Sequence, residues 1–254
     1  MKTAQMKTPW LSCPRPNREA KLRFFCFPYA GGGDQVYRNW ADQLPETVET
    51  CLVQLPGRGS RLLEKPFTNL VELSKSLAGA ILSYLDKPFI LFGHSMVAMV
   101  SFELARELRR DNLEPLHIFA SGCHAPQIPD SNVLHDLPES ELIKELHRLN
   151  GTPKEILENR ELLSIILPTL RADCMMTETY VYVSEPPLNC PITVFGGLRD
   201  PLVTREELEA WREETSASFS LRMLEGDHFF LHTAPLVLLS TISRELHQLA
   251  ASLK

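Results

Sequence analysis

Short apolar runs alternate with helical patterns along most of the chain, and this alternation limits the folds that it can adopt. The apolar runs predict strands at Leu22–Phe27, Thr50–Leu55, Phe89–Phe92, Leu116–Ala120, Ile192–Phe195 and Phe219–Leu224. Helices are predicted between them, at Asp34–Leu44, Asn69–Leu85, Met96–Arg110, Arg205–Glu214 and Ala234–Leu253. Strands that alternate with helices form βαβ units, in which the strands are parallel. The sequence therefore predicts an α/β fold with a mostly parallel central sheet and helices on both faces.

One segment, residues 126–183, interrupts this alternation. It contains several helical stretches separated by prolines and a glycine, and no clear strand until its end. A crossover between parallel strands needs far fewer residues. A crossover built from several helices is one interpretation, but we favour a helical lid over a pocket at the carboxyl ends of the strands. We therefore expect an N-terminal tail at 1–20 and a single domain at 21–254, with a lid insertion at approximately 126–183.

Composition and charge argue against several classes of function. The chain has 26 Lys or Arg and 32 Asp or Glu, and its net charge of −6 disfavours binding to a phosphate backbone. No apolar run is long enough to span a membrane, and the start lacks the apolar region of a signal peptide. The six cysteines form no CxxC pair and the histidines form no HExxH pattern. We expect free thiols, no metal, a cytoplasmic location, and neither nucleic acid nor a membrane as a partner.

Ser95 follows a buried apolar run and precedes a predicted helix, in the stretch FILFGHSMV. A tight turn between strand and helix lifts a serine hydroxyl above the sheet, an arrangement called a nucleophile elbow. The first amide of the helix, that of Met96, would then face the negative charge that develops on a reacting carbonyl oxygen. The alternative is a plain turn in which Ser95 only caps the helix. The strand and helix on either side favour a nucleophile.

The elbow departs from the usual GxSxG pattern, because Val97 occupies the position of the second glycine. That glycine normally permits a close approach of two backbones at the corner. We expect the β-branched side chain of Val97 to crowd the corner, at a cost of about 1–3 kcal/mol, unless a neighbouring residue is small. The substitution Val97→Gly is accordingly expected to increase turnover.

Two further residues complete a candidate catalytic set. Asp200 lies in the loop after the run ITVF, and His228 lies in the loop after the last predicted strand. The order serine, acid, histidine is that of α/β hydrolases. A neutral histidine can remove the proton of a serine hydroxyl near pH 7, and a carboxylate holds the histidine ring in the required tautomer. Asp227 is a rival acid and His232 a rival base. Alternatively, Asp200 could only begin a turn with Pro201, and His228 could be a surface loop residue without a chemical role.

A glycine-rich loop, FPYAGGG, follows the first predicted strand. Its glycines permit a sharp turn, so that the amide of Ala30 becomes a candidate second donor to an oxyanion. A phosphate-binding loop is less favoured, since neither GxxxxGK[ST] nor GxGxxG is present, and a loop without a chemical role is the remaining alternative. In LPGRGSR, after the second strand, Arg58 or Arg61 could meet an anionic substrate, but we expect both to be surface charges near a turn.

These motifs, together and in this order, resemble type II thioesterases of polyketide and nonribosomal peptide assembly lines. The resemblance covers nearly the full length and is carried by FPYAGGG, QLPGRGSR, FGHSMVAMVSFELAREL, NGTPKEIL, LPTLRADCMMTETY, PPLNCPITVFGGLRDPLV and GDHFFL. It implies the α/β-hydrolase fold with a helical lid. It also implies a nucleophile at Ser95, an acid at Asp200, a base at His228 and oxyanion amides at Ala30 and Met96.

The resemblance further implies hydrolysis of acyl or aminoacyl thioesters on the phosphopantetheine arm of acyl or peptidyl carrier proteins, through an acyl-enzyme at Ser95. Such a reaction needs no metal and no diffusible cofactor, and we expect a monomer. Three alternatives stay open: an esterase acting on small oxygen esters, an acyltransferase with the same three residues, and a carrier-protein-binding scaffold whose elbow is impaired by Val97.

Overall fold

Seven strands form one sheet in the computed structural model, which describes residues 8–130 and 133–253. They are β1 (Leu11–Ser12), β2 (Leu22–Phe27), β3 (Val48–Val53), β4 (Phe89–His94), β5 (His117–Ser121), β6 (Ile192–Gly197) and β7 (Phe219–Leu224). Their order across the sheet is β1-β3-β2-β4-β5-β6-β7. Within this sheet β1 runs antiparallel to β3, and the other neighbouring pairs are parallel. The predicted, mostly parallel sheet is confirmed.

The predicted strands agree with the observed ones to within two residues at each end. The exception is β1, which the alternation does not reveal, because two residues are too few to show a period. Leu11 pairs with Val53 and Ser12 with Leu52, so this part of the segment expected to be a tail forms an edge of the sheet. Residues 1–7 of that segment lie outside the described residues.

Eight α-helices occur in the described ranges: α1 (Leu70–Ile81), α2 (Met96–Arg109), α3 (Glu139–Leu149), α4 (Lys154–Leu157), α5 (Arg160–Glu178), α6 (Arg205–Glu209), α7 (Phe230–Thr233) and α8 (Pro235–Ser252). The single helix expected at Asp34–Leu44 is instead two 3-10 helices, Asp34–Val36 and Arg38–Asp42. Residues three apart in a 3-10 helix lie on one side of it. Tyr37 and Trp40 have this spacing, and their ring centres are 4.7 Å apart in the core.

The sheet carries an apolar layer on each face, because successive side chains of a strand point to opposite sides. In β2, Phe25 and Phe27 pack with α1 and α2, whereas Phe24 and Cys26 pack with α8. All four side chains are fully buried. Burying one such phenylalanine contributes roughly 1.5–3 kcal/mol, so the two layers are a main source of stability. They hold the ends of the parallel strands, where the candidate site lies, in fixed relation to one another.

The insertion between β5 and β6 has a small apolar core of its own. It is formed by leucines of α3, α4 and α5, namely Leu142, Leu146, Leu157, Leu163, Leu167 and Leu170. Helix α5 begins after Asn159, whose side chain accepts the amide hydrogens of Glu161 and Leu162 and so caps the helix. Helix α5 also contacts α2, so the insertion packs on itself and on the sheet domain.

Candidate active site

Ser95 occupies a sharp corner between β4 and α2. Its φ of 59° and ψ of −140° lie outside the regions favoured by residues with a side chain. Such a conformation costs about 1–3 kcal/mol. Two hydrogen bonds hold the corner: Ser95 N–H donates to Ser121 O at 2.7 Å, and Ser95 O accepts from Ala98 N–H at 2.9 Å. The surrounding backbone therefore maintains a geometry that Ser95 would not adopt by itself.

The closest approach of backbones at this corner occurs at Gly93. A Cβ atom on Gly93 would collide with the backbone of Val97 and Ala98, so the position has no room for a side chain. Val97 itself lies in α2, and its backbone is outside the positive-φ region. Its side chain is fully buried in the layer formed with α1 and α2. The corner thus forms with valine at position 97.

Three of the predicted residues lie in one hydrogen-bonded row. Ser95 Oγ is 2.9 Å from His228 Nε2, and His228 Nδ1 is 2.9 Å from Asp200 Oδ2. The other carboxylate oxygen of Asp200 accepts the Leu202 amide hydrogen at 2.9 Å. The side chains of His228 and Asp200 are 4% and 1% exposed, so both are shielded from bulk water, whereas Ser95 is half-buried and faces a cavity. A separation of about 2.6–3.2 Å lets a histidine take the proton of a serine hydroxyl.

The rival acid and the rival base have other partners. The Asp227 carboxylate accepts the amide hydrogen of Phe229 at 3.0 Å. His232 Nε2 lies 2.9 Å from the hydroxyl of Tyr29. Burial raises the pKa of Tyr29 to about 12, so this hydroxyl is protonated near neutral pH. Neither rival belongs to the row that contains Ser95.

His94 lies next to this row and is fully buried. Its Nδ1 is 2.9 Å from Ser121 Oγ, and its ring centre is 5.2 Å from that of His228. Gly122 leaves room for the His94 ring, because a Cβ there would lie 2.9 Å from its Cε1. Burial lowers the pKa of His94 well below its usual value, and the charges of His228 and His232 lower it further. A neutral His94 does not oppose the protonation of its neighbour during a reaction.

The glycine-rich loop turns back directly after β2. Gly32 N–H donates to Tyr29 O at 2.8 Å, and Gly31 has a φ of +69°, as the third position of a type II turn requires. A side chain at Gly31 would be strained whatever the space around it. The turn brings Ala30 into the wall of a cavity that also contains Ser95.

Arg58 and Arg61 are buried, which corrects the expectation of two surface charges. Arg58 donates to Asp173 of α5 twice, from Nη1 to Oδ2 at 2.8 Å and from Nη2 to Oδ1 at 2.6 Å. Asp173 Oδ2 also accepts the Gly31 amide hydrogen at 2.8 Å. Arg61 donates to both carboxylate oxygens of Glu64, at 2.8 and 2.6 Å. The Asp173 carboxylate therefore connects the insertion to the loops that follow β2 and β3.

Asp173 is not among the predicted site residues, although α5 carries a signal that identifies it. Asp173 continues the series of buried leucines at positions 163, 167 and 170, at the spacing of one helix face. A carboxylate on the apolar face of a helix needs a buried partner, because an unpaired charge in such surroundings is very unfavourable. The arginine of the LPGRGSR motif is that partner.

A cavity of about 130 Å³ opens beside Ser95. Ser95, Met96 and His228 line it together with Ala30 from the glycine-rich loop. The insertion contributes both apolar side chains and the polar Glu178 to the wall. The apolar part of the wall contains Met99, Leu134, Leu146, Leu149, Leu170, Leu202, Val203 and Phe229. The space suits a mainly apolar group.

The sequence predicts neither a metal site nor a membrane span. In residues 8–130 and 133–253, no group of three or more His, Cys, Asp or Glu side chains is placed to hold a metal ion. None of the helices in these ranges is both long and apolar enough to cross a membrane. What these residues do assemble is a hydroxyl, an imidazole and a carboxylate in hydrogen-bond contact, beside a mainly apolar cavity.

Comparison with known proteins identifies the family. A sequence model of the thioesterase domain matches residues 23–246. The chain belongs to the thioesterase family. As a thioesterase it is a hydrolase, and its parallel sheet with flanking helices agrees with the α/β-hydrolase-type fold of solved thioesterases.

Individual relatives of this thioesterase share most of its length. It is 48% identical over 250 residues to the linear gramicidin dehydrogenase LgrE of Brevibacillus parabrevis, an alignment that covers 96% of this chain and 95% of that protein. RedJ, a thioesterase from the prodiginine biosynthetic pathway in Streptomyces coelicolor, superimposes with a TM-score of 0.86 at 39% identity, over 89% of this chain and 91% of RedJ. The type II thioesterase BorB, from the borrelidin biosynthetic cluster, gives a TM-score of 0.86 at 35% identity, over 93% and 97% of the two chains.

Proposed function

We propose that this thioesterase is a type II, or editing, enzyme that hydrolyses acyl or aminoacyl thioesters on the phosphopantetheine arm of carrier proteins. The proposal is supported by the row of Ser95, His228 and Asp200 beside a mainly apolar cavity. It is supported also by similarity over nearly the whole chain to BorB. The partners are then acyl or peptidyl carrier proteins of an assembly line. We propose that the enzyme acts as a cytoplasmic monomer without a diffusible cofactor.

In the first half of the proposed reaction, Ser95 Oγ attacks the thioester carbonyl carbon, and His228 Nε2 takes the serine proton. Asp200 holds the imidazole through Nδ1 and stabilises its protonated form. The backbone amides of Ala30 and Met96 donate to the carbonyl oxygen as it becomes negative. The carbon–sulfur bond then breaks, the thiol leaves with the proton held by His228, and the acyl group stays on Ser95 as an ester.

Water completes the reaction in the second half. His228 takes a proton from a water molecule, whose oxygen attacks the ester carbonyl carbon, and the proton then returns to Ser95 Oγ as the free acid leaves. A thiol has a pKa of about 8.5, so the thiolate is a good leaving group and needs little help from an acid. The same three side chains therefore suffice for both halves.

We propose further that the insertion, residues 126–183, is a lid over the cavity. Two observations support this role: its helices have a leucine core separate from the main one, and its side chains form much of the cavity wall. A cavity of this size and lining accepts an acyl chain on a flexible arm more readily than a bulky polymer.

A panel of loaded carrier proteins tests the proposed function. Each carrier bears one acyl or aminoacyl group, and intact-mass measurement follows the appearance of the free carrier thiol. We expect hydrolysis that Ser95→Ala abolishes. Faster hydrolysis of matched small oxygen esters would favour the esterase alternative. A product that forms only when an amine or alcohol is added, with little free acid, would favour the acyltransferase.

Two measurements test the assigned residues. Asp200→Asn is expected to reduce kcat severely, with Asp227→Asn as the matched control that leaves it nearly unchanged, because only the first carboxylate contacts His228. A damaging effect of the control instead would show that the wrong acid is assigned. Labelling by a fluorophosphonate should add one adduct at Ser95. A folded protein that resists labelling would favour the scaffold alternative.

Hydride transfer, which the word dehydrogenase in the name of LgrE denotes, is not favoured by the glycine-rich loop of this chain. The loop has no GxGxxG pattern. The amide of Gly31 already donates to the Asp173 carboxylate. That amide is therefore not free to donate to a pyrophosphate. The loop lacks both the pattern and one of the free amides that a dinucleotide site uses.

A further inference from the structure

Cys13 and Cys51 lie side by side at one edge of the sheet, with their sulfur atoms 3.3 Å apart. Cys51 belongs to β3, and Cys13 directly follows β1. All six cysteines of the chain are free thiols in this structure. The proposed hydrolysis makes no use of this pair.

The register of the two strands places Cys13 and Cys51 opposite each other, where a disulfide could form. Leu11 pairs with Val53 and Ser12 with Leu52, so the next pair along is Cys13 with Cys51. Gln54 N–H donates to Trp10 O at 2.7 Å, which makes that pair a hydrogen-bonded one. Bonded and non-bonded pairs alternate in an antiparallel ladder, so the cysteines form a non-bonded pair, with Cα atoms about 4.5 Å apart. A disulfide spans Cα separations of about 4.4–6.8 Å, so the backbone already permits the bond.

The two thiols differ in access and acidity. Cys13 is half-buried and Cys51 fully buried. The hydrogen bond between the two thiols is the main cause that lowers the pKa of Cys13, with a smaller contribution from Arg23, whereas the same contact and burial raise the pKa of Cys51. Burial raises the pKa of the remaining cysteines, Cys26, Cys123, Cys174 and Cys190. Cys13 therefore combines access from solvent with the more acidic thiol, as an attacking cysteine requires.

We propose that Cys13 and Cys51 form a reversible disulfide by exchange with a small-molecule disulfide such as oxidised glutathione. The Cys13 thiolate attacks one sulfur of the small molecule, and one glutathione thiolate leaves. Cys51 Sγ then attacks the Cys13 sulfur of the mixed disulfide, and the second glutathione thiolate leaves. The two protein thiols are oxidised, the glutathione disulfide is reduced, and the two glutathione thiolates take up the two protons that the cysteines lose.

The disulfide links a weakly held segment to the body of the sheet. Strand β1 has only two residues. The preceding residue, Trp10, packs against Arg61, whose Cζ atom lies 3.9 Å from the centre of the Trp10 ring. A covalent bond at this edge restricts the unfolded chain and so stabilises the folded protein. Reducing conditions keep such thiols free. The disulfide therefore forms only when the surroundings become more oxidising.

Equilibration of the full chain in glutathione buffers of increasing oxidised fraction tests the proposal. Free thiols are alkylated after acid quenching, and digestion without reductant is followed by mass spectrometry. We expect one intramolecular disulfide, loss of two hydrogens from the intact mass, and a linked peptide pair containing Cys13 and Cys51. The melting temperature should rise by roughly 4–16 °C on oxidation and fall back when dithiothreitol is added.

Single variants separate this disulfide from other thiol chemistry. Cys13→Ser should abolish the linked peptides and the shift in melting temperature, whereas Cys174→Ala, at another half-buried cysteine, should leave both intact. A stable glutathione adduct at Cys13, a disulfide between other cysteines, or no reaction in the folded protein would each overturn the proposal. The peptide map of the unsubstituted chain decides the matter even if a variant fails to fold. This result does not depend on whether the chain hydrolyses thioesters.

Discussion

Replacing Arg58 by alanine tests whether the buried carboxylate of Asp173 depends on its cation. The two side chains are 9% and 2% exposed and are joined by two short hydrogen bonds. After Arg58→Ala the Gly31 amide still donates to the carboxylate, but the compensating positive charge is gone. The free energy of unfolding should fall for this reason.

The size of the effect follows from the burial of the pair. Removing one partner of a buried ion pair costs about 3–5 kcal/mol, because the other charge is left without compensation. In a protein of this size, 1 kcal/mol shifts the melting temperature by about 2–4 °C, so we expect a decrease of roughly 6–20 °C. The double substitution Arg58→Met/Asp173→Asn removes both charges and keeps an acceptor for the Gly31 amide. It should recover about half of the loss or more.

Thermal unfolding followed by circular dichroism, and urea unfolding at fixed pH, measure the change. The matched control is Arg199→Ala, because Arg199 and Glu225 form an ion pair at 3.0 Å whose side chains are 69% and 73% exposed. That control should lose less than about 1 kcal/mol. Equally small losses for Arg58→Ala and Arg199→Ala would refute the reasoning that burial makes the first pair essential.

Three further predictions concern the site and the core. Ser95→Ala and His228→Ala should each remove nearly all thioester hydrolysis, and steady-state rates of the double variant should be little worse, because the two groups act as a unit. Val97→Gly should lower the free energy of urea unfolding by about 2–4 kcal/mol, since a buried side chain is lost and a glycine enters a helix. The turnover of Val97→Gly should increase if the valine side chain crowds the turn at Ser95, as the departure from GxSxG suggests. Burial lowers the pKa of His117 to about 4, so its contribution to stability is complete above pH 6.5 and is lost as the pH falls towards 4. His117→Gln should therefore weaken the pH dependence of unfolding in that window by up to roughly 3 kcal/mol, and an unchanged dependence would contradict this account.

The strands and the order of the site residues could be predicted because each depends on local pattern. Strand β2, at Leu22–Phe27, is buried on both faces, so its sequence is apolar at every position except Arg23 and has clear ends. Ser95, Asp200 and His228 each follow a predicted strand. The carboxyl ends of parallel strands lie at one edge of the sheet, so chain order already favours their convergence.

The ion pair of Arg58 and Asp173 could not be predicted in the same way. The two residues are 115 positions apart, and their contact depends on how α5 lies across the loop after β3. A Pro-Gly turn usually carries exposed charges, and that general tendency outweighs the pattern until the helix is placed. The edge strand β1 could not be predicted from the sequence for a different reason. Its two residues owe their extended conformation to pairing with β3 and show no pattern of their own.

The backbone angles of Ser95 set the stability of the folded protein against the presence of a hydroxyl at this corner. Glycine reaches such angles without steric penalty, whereas alanine retains the penalty. Ser95→Gly should therefore melt at a higher temperature than Ser95→Ala, although neither has a hydroxyl. A chain optimised only to resist unfolding would carry glycine at this corner. The chain therefore gives up some stability at position 95 to carry the hydroxyl that we propose as the nucleophile.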